Sequence, residues 1–289
     1  MKERIVEETR KLIAAYEPEK IAETASKLQE IWLEAVPEIT KGARLIKREQ
    51  REKLKAVGTP VPVLKAIGKE VGKRAKRRVE DFIPLIVLLW DEYGREGRLV
   101  AATALGPMEL SDPERVIPII YELAKTSISW EDCDQLAMEA LEPIVRKRPE
   151  EYLERLWGWV SDENKWVRRV AITVIGRLPM KRADYTRRCL EMVEPAFGDK
   201  DLDVRRALSF AIRMGARGDP GLVRDFLATQ LEQRSDPASV WVLCDVIRSM
   251  TKKLLPEFRG LLPAYERLLE TVEEGSRRSI ESAIKVLRR

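Results

Sequence analysis

Arg98-Leu-Val-Ala-Ala-Thr-Ala-Leu105 opens on a charge and continues with small and aliphatic residues at helical spacing. The pattern returns as Asp134-Gln-Leu-Ala-Met-Glu-Ala-Leu141, Arg169-Val-Ala-Ile-Thr-Val-Ile-Gly176 and Arg206-Ala-Leu-Ser-Phe-Ala-Ile-Arg213, at intervals of 36, 35 and 37 residues. It continues less clearly at Ser239-Val-Trp-Val-Leu-Cys-Asp-Val246 and Arg278-Ser-Ile-Glu-Ser-Ala-Ile-Lys285, after 33 and 39 residues. Between these lie second helices, over 113–124, 149–160, 185–197 and 220–230. Several of them open at Pro or just after Asp, as helix starts prefer.

Paired helices with a period in the thirties describe a repeat array. The TPR and ankyrin consensus residues are absent. An aliphatic helix that follows a turn such as Ser161-Asp-Glu-Asn164 resembles a HEAT repeat. The fold class expected is therefore all-α: one HEAT-like solenoid over 1–289, curved, with a basic concave face. Residues 1–80 form irregular basic helices (18–36, 39–55, 63–79, with Gly58-Thr-Pro-Val-Pro62 as a rigid connector). Core repeats fill 81–230, and extra repeats fill 231–289. Equivalent positions of stacked repeats line up. Asp134, Arg169 and Arg206 should then share a column, bordered by Trp130 and Phe210.

The chain has no histidine. This removes Ser-His and Cys-His nucleophile pairs and every histidine metal site, so no metal or cofactor is expected. Cys133, Cys189 and Cys244 are odd in number, far apart and set in helical patterns, and read as reduced, partly buried thiols of a cytoplasmic protein. No run of about eighteen apolar residues suggests a membrane span. Net charge is +5, but residues 41–78 hold fourteen Lys or Arg against three acids, so the rest of the chain is negative. Such an excess fits either a polyanion partner or a solvated helix face.

Ser129-Trp-Glu-Asp-Cys-Asp134 is the most unusual stretch. Trp130 and Asp134 are one helical turn apart. A structural reading has Ser129 or Asp132 capping the helix, Trp130 in the core and Asp134 paired with an Arg of the next repeat. A functional reading has both residues facing a ligand. Arg168 and Arg169 point about 100° apart, so one can meet an acid and the other a phosphate. Trp166 is expected against the preceding helix near Trp159. Trp157 and Trp159, two apart, cannot both face the core.

Several blocks in order resemble the AlkD-type DNA alkylation-repair glycosylases, over roughly residues 8–230. They are Gly58-Thr-Pro-Val-Pro-Val-Leu-Lys65 and its continuation to Glu70, Leu89-Trp-Asp-Glu-Tyr-Gly-Arg-Glu-Gly-Arg-Leu99, Ser129–Asp134, Ser161-Asp-Glu-Asn-Lys-Trp-Val-Arg-Arg-Val-Ala-Ile172 and Val204-Arg-Arg-Ala-Leu-Ser-Phe-Ala-Ile-Arg213. The resemblance implies that Asp134 is the catalytic carboxylate, that Trp130 contacts the damaged nucleotide's sugar, and that Arg169 contacts DNA. A second family tryptophan falls on Phe210. Two further departures are about twenty extra residues near 33–55 and about fifty after Gln230.

The implied substrate is duplex DNA carrying N3- or N7-alkylated purines, whose positive charge already weakens the glycosidic bond. An ionised Asp134 would stabilise an oxocarbenium-like sugar and orient water. Trp130 and Phe210 would add cation–π attraction. Arg168, Arg169, Arg206, Lys65, Lys69 and the 41–78 cluster would hold phosphates. The protein would act as a monomer in the cytoplasm, associated with the nucleoid when bound. The alternatives are a non-catalytic relative that binds branched or damaged DNA, and a scaffold for protein partners.

Overall fold

The computed structural model describes residues 2–36, 52 and 54–289, and these hold helices joined by turns, with no strand among them. The expected helix over 39–55 and the basic residues 41–51 fall largely outside the described residues. The chain groups into two compact units, Met1–Ile144 and Val145–Arg289. The sequence reads as one solenoid subdivided at 80 and 230.

The first unit carries α1 (Lys2–Ala14), α2 (Ile21–Leu33), α3 (Val61–Ala75), α4 (Val79–Glu92), α5 (Gly94–Ser111), α6 (Pro113–Lys125) and α7 (Trp130–Gln135). α7 runs without a break into a π-helical turn, Leu136–Leu141, and then α8 (Glu142–Lys147). The second unit carries α9 (Pro149–Tyr152), α10 (Trp157–Val160), α11 (Lys165–Arg177), α12 (Thr186–Val193), α13 (Leu202–Gly218), α14 (Pro220–Gln233), α15 (Pro237–Arg248), α16 (Leu262–Thr271) and α17 (Glu274–Leu287). The continuous helix expected over 149–160 is broken by a 3-10 turn at Glu154–Leu156. The connector read at Gly58–Pro62 ends at Pro60. Pro62 lies in the first turn of α3, where its missing N–H is not needed.

The repeat seen in the sequence is physical. Trp90 Nε1 donates to Thr126 Oγ1 at 2.9 Å, Lys165 Nζ to Asp201 at 2.8 Å, Ser209 Oγ to Asp245 at 2.7 Å and Gln230 Nε2 to Glu194 at 2.9 Å, and every one of these pairs is 36 residues apart. The recurring helices start on polar N-caps. Asn164 accepts from Trp166 N, Asp201 from Asp203 N and Asp236 from Ser239 N, each capping amides the helix leaves unpaired. Arg169 and Arg206 each stand five residues after such a cap, in the same register of their own repeats.

Small residues set how closely neighbouring helices approach. α11 and α13 touch where a Cβ on Gly176 would stand 2.3 Å from Ala211 Cβ and 2.4 Å from its Cα. The three cysteines are in no disulfide among the described residues and are buried rather than partly so. Burial pushes the Cys189 and Cys244 thiols up to about 12, which leaves them protonated and inert at neutral pH.

Gly176→Ala therefore opposes its own helix propensity. Overpacking of about 1–3 kcal/mol should outweigh the roughly 1 kcal/mol gained in propensity and lower the melting midpoint by a few degrees. Gly275→Ala, in α17, meets nothing within 4 Å and should leave the midpoint unchanged or raise it. Differential scanning calorimetry of the two variants reads the sign.

Candidate functional site

The most conspicuous residue of the first unit is Trp130, 52% exposed at the first position of α7. The core position considered for it is thus overturned. Ser129 caps the helix, so its next residue is thrown outward rather than onto α5. The cap is reciprocal: Asp132 N donates to Ser129 Oγ at 3.3 Å, and Ser129 N donates to Asp132 Oδ2 at 3.2 Å. Such a box holds two helix-start amides at once. Asp134 follows one turn later, half-buried.

This helix start is clamped from beneath by α5. Arg98 Nη1 donates to Asp132 Oδ2 at 2.7 Å, with Asp132 3% exposed. Arg95 grips Glu131 bidentately at 2.8 and 2.7 Å. Burial works against the Arg95 cation, but its hydrogen bonds to Glu131 and the nearby Glu96 more than offset this, so its pKa rises. Glu96, 1% exposed, accepts from Gly58 N at 3.0 Å and Val57 N at 3.3 Å, tying the loop before α3 to the same frame. Arg98 also lies over the Trp90 ring at 5.2 Å. Behind Asp134 the π-helical turn presses on α5: a Cβ on Gly106 would come 2.2 Å from the Glu139 carbonyl. π-turns of this kind recur at functional sites. The sequence reading gave no role to Arg95, Glu96 or Gly106. The 36-residue offset between Arg95 and Glu131 was the available signal.

The proposed phosphate ligands divide unevenly. In the first unit Lys65 Nζ stands 2.7 Å from Glu139 Oε1, so its charge is committed to a carboxylate, while Lys69 is exposed on α3. In the second unit Arg168 is spent internally: it binds Asp199 at 2.7 and 3.2 Å and the carbonyls of Asp162 and Glu163 at 2.8 and 3.0 Å. Arg169 is 7% exposed and donates through Nη1 to Asp203 O at 2.5 Å. Arg206, in the same register one repeat on, is exposed, with Asp203 Oδ1 3.6 Å away. Phe210 lies half-buried one turn further along α13. Trp166 is half-buried with Lys165 Nζ 4.4 Å from its ring centroid, and Trp157 is 43% exposed beneath Arg188. Among the described residues no group of three His, Cys, Asp or Glu is placed to hold a metal, and no helix is long and apolar enough to cross a membrane.

A model of the DNA alkylation repair enzyme family matches residues 10–243, which is most of the chain. The chain belongs to that family, and with it to enzymes of alkylated-DNA repair. The match runs past Gln230 into α15. No curated protein matches the chain. A chain from the solved structure describing Kap95p binding to RanGDP in nuclear import is similar at 13% identity and a TM-score of 0.38, over 96% of this chain and 38% of that one. This chain thus spans well under half the length of that structure's chain.

Two measurements check the frame. Removing one partner of a buried pair strands the other, so Asp132→Ala should cost about 3–5 kcal/mol in urea unfolding. The N-cap carboxylates set the acid limb. Burial alone would raise Asp201 and Asp236, but the Lys165 ammonium and the amide of Asp203 bring Asp201 below the usual range, and the Ser239 hydroxyl and nearby backbone amides do the same for Asp236. A folded pKa below the unfolded value of about 3.9 adds stability that is complete above that pH and lost as pH falls through the folded pKa. The melting midpoint should therefore hold from neutral pH to about 5 and drop below about 4, and Asp201→Asn should flatten that drop.

Proposed function

We propose that the chain is a DNA glycosylase that removes N3- or N7-alkylated purines, acting as a monomer on duplex DNA in the cytoplasm. The observation that carries this reading is the pair Trp130 and Asp134: an exposed indole and a half-buried carboxylate one turn apart, on a helix start held by a capping box and two buried ion pairs. An exposed tryptophan on so rigid a mount costs apolar surface in water and gains nothing in folding. Against a deoxyribose it supplies a π face to the CH groups of a sugar gaining positive charge.

In this reaction the leaving base departs as a neutral purine, because alkylation has already made it cationic. The glycosidic electron pair goes with it, and no general acid is needed. Asp134 faces the resulting positive sugar and directs a water to its anomeric carbon, taking that water's proton as the bond forms. Trp130 keeps bulk water from one side of the sugar. Phe210, on α13 of the second unit, carries a phenyl face without an indole N–H where the resemblance expects a tryptophan.

A second reading, binding of DNA without catalysis, draws on Phe210 in place of the family tryptophan. Release of 7-methylguanine or 3-methyladenine from methylated duplex under single-turnover conditions separates the two. The wild-type chain should release base, and Asp134→Asn should lose at least a hundredfold in rate while still binding DNA. Binding without release by the wild type would give the second reading.

A further inference from the structure

A second apolar side chain faces outward at the start of α7. Ile128, two residues before Trp130, is 36% exposed. Between them Ser129 is extended, with φ −146° and ψ 159°. Neighbours on either side of an extended residue project to the same side, about 7 Å apart. Burial follows that alternation: Ser127 is buried, Ile128 exposed, Ser129 half-buried and Trp130 exposed. The segment is held as firmly as the helix it enters. Asp132 Oδ2 accepts from Ile128 N at 3.0 Å, from Ser129 N at 3.2 Å and from Arg98 Nη1 at 2.7 Å. Comparable loops carry a different residue here. Glu163, Lys200 and Ser235 stand just before the N-caps Asn164, Asp201 and Asp236, and all three are exposed and polar, as solvated positions usually are. An aliphatic residue before a cap often packs on the fourth helical residue, here the buried Cys133. That contact alone would draw Ile128 inward. Its outward surface stays in water, at no gain to folding.

We infer that Ile128 is a further substrate-contacting residue, which packs on the CH face of the deoxyribose next to the nucleotide that Trp130 meets. The inference rests on the glycosylase reading given above. Two side chains about 7 Å apart on one rigid segment are set to meet successive sugars of a strand rather than the same one. An aliphatic side chain removes sugar carbons from water and leaves no polar group of its own unpaired. The two contacts then differ in kind. The sugar at Trp130 gains positive charge in the transition state, and its neighbour does not. Ile128 holds ground state and transition state equally, so it sets how tightly the duplex is bound and leaves the chemical barrier alone.

The test compares Ile128→Ala and Ile128→Val with the wild-type full chain on a fluorescent methylated duplex, by single-turnover base release and by anisotropy over a range of salt. Ile128→Ala should raise the half-saturating protein concentration and the dissociation constant about fivefold, with the rate at saturation unchanged. Its log–log salt slope should stay that of the wild type, because no phosphate contact is lost. Ile128→Val should recover most of the affinity, and neither variant should move the melting midpoint. An unchanged dissociation constant in Ile128→Ala would overturn the inference. So would a reduced salt slope. A lower rate at saturation would do the same, since it would make Ile128 a brace for Trp130 and Asp134 rather than a contact. A wild type that releases no base ends the glycosylase reading instead, and the anisotropy arm still decides whether Ile128 touches the duplex.

Discussion

Everything in this chain depends on helices brought close enough that a side chain on one reaches the residue about 36 positions further on. Gly176 against Ala211 and Gly106 against Glu139 O set that distance. Close approach buries the aliphatic faces, but it also strips water from polar groups near the helix starts, and each must then find a partner inside the array. Arg95 finds Glu131, Arg98 finds Asp132, Lys165 finds Asp201 and Arg168 finds Asp199. The inter-repeat ion pairs follow from the packing and are not an addition to it. Buried pairs of this kind contribute little net stability, yet each becomes costly to break, so they fix the repeat register more than they strengthen it.

That register is what holds the candidate site. Trp130 stands in solvent because Ser129 stops the chain from entering the helix any earlier, and because Asp132 and Glu131, its near neighbours, are pinned to α5. The rigidity belongs to the mount, and the exposed indole is its product. Positioning by a fixed frame is the main resource of an enzyme whose chain contains no histidine. An alkylated purine, the proposed substrate, would bring its own positive charge to the reaction. On the proposed glycosylase reading, what remains for the protein is to present a carboxylate and a π face where charge would appear on the sugar, and a clamped helix start would do that without reorganising.

Much of this was legible in the sequence, and the misses share one cause. The period, the N-caps and the free thiols follow from local spacing and composition. Spacing on a helix gives the angle at which a residue leaves the axis, but not what stands in its way. Arg169 and Arg206 share a register, yet Arg169 is closed over by the first turn of α13 and Arg206 is open. Trp130 had both a core and a ligand-facing reading in the sequence, and only the capping geometry turns it outward. Lys65 counted as free positive charge until Glu139, 74 residues away, was found beside it. Pro62 read as a helix breaker because sequence alone does not say which turn of α3 it occupies.

The same point bears on how this protein's charge should be weighed. Fifty-three basic against forty-eight acidic residues is a small excess, and most cations described in the site are already paired. Counterion release depends on the cations left open to a phosphate and not on the total. By that measure Arg168 and Lys65, strong candidates on sequence, have little left to offer a phosphate. Packing spends some cations on the register and leaves others, such as Arg206 and Lys69, open to solvent.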